Sequence, residues 1–253
     1  MSSRAWVVGS TSEVRAATVP ARHSGIVRVT HWLATVCFLA LLVTGAEILI
    51  SHPRFYWGET GNVLTRPLFR IPIPSSRNTV PTGYGYVLPD QNGWSRYLHF
   101  QAGWGLVLTG LLYAMYGTAS GYFRRSFLPS GTDLSWRALA AEVGRHMRFQ
   151  RPGEAEAWSY NVLQRLTYLL VIFVLSPLII WTGLAMSPAF VSAFPAAVTL
   201  LGGQQSARTI HFFVTIALVV FLLVHVVMIW RAGFWMRTRA MITGRVGKEM
   251  EQA

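Results

Sequence analysis

Residues 208–231 read RTIHFFVTIALVVFLLVHVVMIWR, an apolar run that carries two histidines, His211 and His225. A helix needs about 20 such residues to cross the hydrocarbon core of a bilayer. The histidines are fourteen residues apart, which is about 40° short of four full turns at 3.6 residues per turn. Both imidazoles therefore share one face of the helix, about 21 Å apart along its axis.

The rest of the chain has the same character. Residues 29–50, 97–117 and 163–186 form three further windows of spanning length, and 210–230 is the fourth; arginine, tryptophan, tyrosine or proline bounds each one. The first 22 residues lack an apolar core, and no small-residue cleavage site follows the first helix. The expectation is a chain inserted through all four helices rather than a cleaved leader. The predicted fold is thus all-α, an integral membrane four-helix bundle over 25–231, with tails at 1–24 and 232–253. Pro177 is the only proline inside a span.

The 253 residues are 52% hydrophobic yet carry a net charge of +12, with Lys248 the only lysine. A nucleic-acid binder would spread its arginines over a soluble face, whereas here they lie between apolar blocks. Nucleic acid is therefore excluded as a partner, and membrane lipid is expected. Of the 22 basic residues, 16 fall in or beside the two tails and the loop at 118–160. By the positive-inside rule both termini are cytoplasmic. The lone Cys37 permits no intramolecular disulfide and no CxxCH haem attachment, which leaves it a packing role.

Two loops differ in kind. Within 118–160, residues 135–148 place Trp136, Leu139, Ala140, Val143 and Met147 on one helical face opposite arginines, the pattern of a helix lying on the membrane surface. The outer loop at 51–96 is rich in proline, glycine and aromatics without helical period. Loops of that length are usually functional. It reads either as a docking surface for a periplasmic partner or as a self-packed cap on the bundle.

With this topology the histidines sort by depth. His31 in helix one and His225 in helix four lie near the cytoplasmic face; His99 in helix two and His211 in helix four lie near the periplasmic face. Any one of them could be an interhelical hydrogen-bonding histidine. Four that pair by depth across three helices point instead to ligands, because ionisable groups in membrane helices mark function. Two imidazoles from facing helices suit the axial positions of an iron porphyrin, whereas zinc or copper would want three or four ligands at one level. Two stacked haem b groups, on His31/His225 and His99/His211, fit best. His23, His52 and His146 carry no such signal.

Small residues near these levels could admit a planar group: Gly45 at the depth of the outer pair, and Gly103 and Gly110 on the His99 face. Arg28, Arg96 and Arg208 each precede a proposed ligand by three residues. They could hold haem propionates one turn toward water, or be ordinary flanking arginines. Glu47 is the only acid inside a span; a proton relay and a contact to an outer arginine are both open to it.

VRVTHW on helix one, RYLHF on helix two, YNVLQRLTYL opening helix three and the two histidines of helix four resemble the di-haem cytochrome b family. That family forms membrane subunits of nickel-iron hydrogenases, respiratory formate dehydrogenases and thiosulfate reductase, and the resemblance spans about residues 25 to 245. It implies the same pairing, with helix four giving one ligand to each haem. HPRFYWGETGN, GLAMSPAF, QSARTIHF and MITGR resemble the thiosulfate reductase cytochrome b branch, often encoded with a sulfite-oxidase-like molybdopterin protein. The longer outer loop departs from the hydrogenase type. The resemblance also implies a quinone site at the cytoplasmic start of helix three, at Asn161 and Gln164 with Tyr160 and Arg165 nearby; helix capping is the plainer role for these residues.

The expectation is an electron-transfer subunit in the bacterial inner membrane, linking a periplasmic oxidoreductase docked on 51–96 to quinone in a respiratory chain. The alternative is a self-contained haem quinone reductase fed by a small periplasmic reductant. A metal-ion transporter fits less well, because the helices lack paired glycine or proline breaks.

Overall fold

The computed structural model describes residues 23–62, 64–73, 91–128, 135–147 and 162–244. Four long helices dominate: α1 (Gly25–Ser51), α2 (Gln91–Ala119), α5 (Val162–Ala185) and α8 (Gln204–Arg231). Between and after them lie α3 (Tyr122–Ser126), α4 (Trp136–Met147), α6 (Pro188–Ala193), α7 (Ala196–Thr199) and α9 (Phe234–Thr243). Two short antiparallel strands, β1 (Arg54–Phe55) and β2 (Phe69–Arg70), pair in the outer loop.

The long helices run past the predicted apolar windows at several ends because polar residues cap them. Ser24, for example, accepts the Val27 amide at the start of α1. Among the described residues α1, α5 and α8 are long and apolar enough to cross a membrane. The second helix, α2, is the longest at 29 residues. Its apolar character is diluted by His99, Gln101, Trp104 and the glycines at 103, 105, 110 and 117.

Burial is inverted relative to a soluble bundle. On α1 the buried residues are Val27 and the polar Thr30, Thr44 and Ser51, between 0% and 7% exposed, while Val29, Val36 and Val43 are 56–65% exposed. The inward stripe repeats every seventh residue through Cys37, and α2 answers with Ser95, Ala102 and Thr109. Small side chains let two helices approach closely where lipid removes the hydrophobic drive between them. The threonine hydroxyls bond back to their own helix: Thr30 to Ile26 O, Thr44 to Ala40 O and Thr109 to Gly105 O. No buried hydroxyl in this stripe is left unsatisfied at the cost of several kcal/mol that lipid would impose. A Cβ on Gly105 would lie 2.9 Å from Cys37 Sγ, so the cysteine packs where the helices meet most closely.

The fifth helix contains a π turn, Val171–Leu175, in which the Ser176 amide reaches back to Val171 O. Pro177 has no amide to give Phe173 O, and the wider turn absorbs that break. On the inner side Tyr122, Phe123 and Phe127 of the short α3 region pack on Tyr113, Tyr168 and Phe173. The fourth helix forms close to its predicted bounds, with Val143 outward and Glu142 buried.

The described part of the outer loop is seated on the start of α8. Gly58 O accepts from the Gln205 and Ser206 amides, and Glu59 Oε2 accepts from the Gln204 amide. These are the unpaired donors of a helix N-terminus, where acceptors and negative charge are favoured. Gly58 and Gly203 both hold positive φ, and a Cβ on Gly203 would strike the Gly58 backbone. Thr209 Oγ1 donates to Tyr56 O, and Phe55 stacks between Phe69 and Phe212. The self-packed cap thus describes this portion, and residues 74–90 of the loop lie outside the described residues.

Candidate functional site

The bundle brings the four predicted histidines together in two pairs. His99 and His211 have ring centres 6.3 Å apart, and His31 and His225 have ring centres 6.4 Å apart. Two metal–imidazole bonds of about 2 Å, with about 1 Å from nitrogen to ring centre on either side, separate axial imidazoles by about 6 Å. Both pairs match that spacing. Among the described residues no three His, Cys, Asp or Glu side chains gather as a metal site. The donor set is therefore two imidazoles per level, which suits an iron held in a porphyrin.

The outer pair is built from a repeated unit that the sequence reading passed over. Thr44 Oγ1 lies 2.9 Å from His99 Nδ1, and Thr182 Oγ1 lies 2.9 Å from His211 Nδ1. Each hydroxyl proton is already given to its own helix, from Thr44 to Ala40 O and from Thr182 to Leu178 O. With that proton directed to the helix carbonyl, the threonine oxygen is the acceptor and Nδ1 of each histidine carries the proton, and His211 has the Ile179 backbone as a further hydrogen-bond partner. That tautomer leaves Nε2 with its lone pair free for a metal. The next residue is glycine in both cases, and a Cβ on Gly45 or Gly183 would meet Cε1 of the same imidazole at 3.5 Å.

The signal was present as two similar pairs of strings: LVTGAE with RYLHF, and IWTGLA with RTIHF. The α1–α2 hairpin and the α5–α8 hairpin are thus two versions of one helix pair. Burial follows the repeat, since Ser95 and Ala207, four residues before the histidines, are both fully buried. In the same register His31 falls opposite Leu169, and His225 opposite Tyr113. The inner pair breaks the repeat.

The inner pair has different neighbours. His31 packs edge-on to Trp32 and His225 stacks on Phe221, while His31 Nδ1 is buried without a hydrogen-bond partner among the described residues. The C-terminal helix α9 closes on this end. Arg28 Nη1 donates to Ile242 O at 2.8 Å and Trp32 Nε1 to Met241 O at 3.3 Å.

The other predicted residues divide. Arg96 and Arg208 converge on His52, Arg96 Nη2 at 3.4 Å from the ring and Arg208 Nη2 donating to the His52 carbonyl. Burial first, then the Arg208 and Arg96 guanidinium charges, hold the His52 pKa below the usual histidine range. This histidine carried no sequence signal, yet it joins the two arginines over the outer end. Arg208 also lies over the Phe55 ring at 5.0 Å. Glu47 lies three residues beyond Thr44, with Oε2 buried and without a hydrogen-bond partner among the described residues. A Cβ on Gly103 or Gly110 would meet nothing within 4 Å, so protein contacts do not account for either glycine. Gln164 is half-buried near the start of α5, and Arg165 Nη1 donates to Leu128 O; Tyr160 and Asn161 lie outside the described residues.

Residues 22–244 match a family model described as Prokaryotic cytochrome b561. The chain is also 32% identical over 212 residues to a protein of Azospira oryzae, described as "Putative protein-methionine-sulfoxide reductase subunit YedZ1". That alignment covers 82% of this chain and 89% of the relative. No solved structure matches.

Proposed function

The chain belongs to the prokaryotic cytochrome b561 family, and from that premise we propose that it is the membrane subunit of a two-part oxidoreductase. Its task is to carry electrons between quinone in the bacterial inner membrane and a periplasmic partner. The observation that carries the reading is the two depth-separated histidine pairs, at 6.3 and 6.4 Å, each spaced for one iron porphyrin. His99 and His211 would hold the outer haem b, and His31 and His225 the inner one. Haem in these places supplies one-electron storage.

The protein's own residues do the remaining work. Thr44 and Thr182 orient the outer imidazoles, Gly45 and Gly183 leave room beside them, and Arg96 and Arg208 offer cationic donors at the outer rim. The large apolar side chains on the outward faces keep the pairs in lipid rather than water. Both termini face the cytoplasm in this reading, all four long helices span, and the quinone meets the chain near Gln164 and Asn161.

The relative's name makes methionine sulfoxide in proteins the first substrate to test for the partner. Reduction of one sulfoxide takes two electrons and two protons and releases water, and one quinol gives up two of each on becoming quinone. Electrons would then run outward from quinol to the partner. A sulfite-oxidase-like molybdoenzyme, implied by the resemblance, fits the same docking position on 51–96.

The test is a reduced-minus-oxidised spectrum with a pyridine haemochrome count on the wild type, His99→Ala and His225→Ala. Two haems in the wild type and one, spectrally different, in each variant are expected. A wild type without haem would end this reading.

A further inference from the structure

Resting on the outer haem of that reading, the geometry points to Thr44–Gly45 and Thr182–Gly183 as twin positioning elements that lower the outer haem's reduction potential relative to unsupported imidazole ligation. Each threonine is 0% exposed and its hydroxyl proton is spent on its own helix. Its oxygen is then a fixed acceptor 2.9 Å from Nδ1 of the histidine on the neighbouring helix. A hydrogen bond accepted from the far nitrogen of a ligating imidazole fixes the tautomer and raises the basicity of the nitrogen that binds metal. A more basic axial ligand favours the more highly charged ferric iron. The glycine beside each threonine brings its helix backbone up to the ring edge, where a Cβ would stand at contact distance, 3.5 Å from Cε1, and a branched side chain would press on the ring. Ring plane and proton position are thus set from both repeats at once.

The inner pair supplies the internal control. Among the described residues His31 Nδ1 is buried with no hydrogen-bond partner, so no threonine equivalent to Thr44 meets that ring. An unsupported imidazole is the weaker donor, so the threonine effect acts on the outer haem and not through His31.

The experiment uses the full chain in detergent or nanodiscs and compares wild type, Thr44→Val, Thr182→Val, the double Val variant and the Thr→Ser counterparts. Haem is counted first; potentials follow from an optical redox titration and ring orientation from low-spin EPR. The His99→Ala and His225→Ala variants assign the outer and inner signals. With two haems retained, the double Val variant is expected to raise the outer potential by about 59 mV, a ten-fold change in the one-electron ratio. The outer EPR signal should move, the inner signals should stay, and Thr→Ser should restore the wild-type values. Loss of the outer haem in Val variants but not in Ser variants supports the same inference. Two haems with unchanged outer potential and EPR would overturn it while leaving the haem reading intact. Equal loss of the outer haem in Val and Ser variants would also overturn it, since packing alone would then be responsible. A wild type without haem defeats the underlying reading instead, and the haem count separates that case from the others.

Discussion

Around His99 and His211 a threonine hydroxyl and a glycine from the preceding helix of the same hairpin meet each ring, and the two halves of the site match. Around His31 and His225 the described residues show no such match. One ring abuts Trp32, the other stacks on Phe221, and a helix from the C-terminal end of the chain is tied across the first. The ring separations are nearly equal despite this difference. The spacing of a bis-imidazole site is therefore set by how the helices cross, while the orientation and basicity of the ligands are set by what touches the far nitrogen. Equal separation does not imply equal chemistry.

The largest effect that could break this comparison is removal of a ligand. His211→Ala should abolish the same spectral species as His99→Ala, and His31→Ala the same species as His225→Ala, each leaving one haem by pyridine haemochrome. If His211→Ala instead removed the species lost in His225→Ala, the pairing by depth would be incorrect. Gly45 gives the next largest effect. An alanine Cβ at 3.5 Å from His99 Cε1 is ordinary contact, so Gly45→Ala should keep both haems, whereas the extra methyls of Gly45→Val should displace the ring and cost the outer haem. Gly183→Ala and Gly183→Val should repeat the pattern, because the repeat places the same atoms at the same distance. The inner haem should survive all four changes.

Most of the frame of the site was legible in the sequence, because helix period and span length act on residues close together in the chain. The four long helices and the depth pairing of His31, His99, His211 and His225 followed from those alone. What stayed hidden depended on contacts between distant segments. A threonine in an apolar helix reads as a side chain satisfied by its own carbonyl at i−4, and that bond is present at Thr44 and Thr182. Its second role, as acceptor for a histidine on another helix, exists only once the hairpin closes. His52 was similarly silent, since its setting comes from Arg96 and Arg208, brought in by two other helices. The repeated Thr-Gly and Arg-x-x-His-Phe strings were the available clue. Arg28 shares the Arg-x-x-His spacing that suggested a propionate contact or an ordinary flanking arginine, and its bond to the Ile242 carbonyl, 214 residues away, was not legible from that spacing.

A smaller effect separates the two hairpins of the repeat. In α1–α2 the closest approach is Cys37 against Gly105, where an added Cβ would sit 2.9 Å from the sulfur. Gly105→Ala should destabilise the protein by about 1–3 kcal/mol through overpacking, seen as a lower Tm in detergent. Cys37→Ala should restore most of the loss, which a double-mutant cycle would measure as coupling. An uncoupled pair would mean that the helices are held apart by other contacts, and that the small-residue stripe does not set their distance.

The smallest expected effect tests the inner end. Arg28 donates to a carbonyl in the last turn of α9, where the unpaired acceptors and the negative end of the helix dipole favour a cation. The bond is exposed, so its net worth is about 1 kcal/mol. Arg28→Ala should therefore loosen α9 by roughly five-fold, read as faster amide exchange over Phe234–Thr243, with the outer potential and the exchange of α2 unchanged. Arg28→Lys should recover part of the protection, because an ammonium keeps the charge but not the planar fork that reaches the carbonyl. If α9 exchanged at the same rate in all three proteins, the Trp32–Met241 bond and apolar contacts would be what holds this helix, and the inner histidine would be closed in by packing rather than by a polar clasp. The inner pair would then keep one Trp32 hydrogen bond to α9 where the outer pair has a threonine bonded to each ring, which makes the contrast between the two levels sharper than the present bond pattern implies.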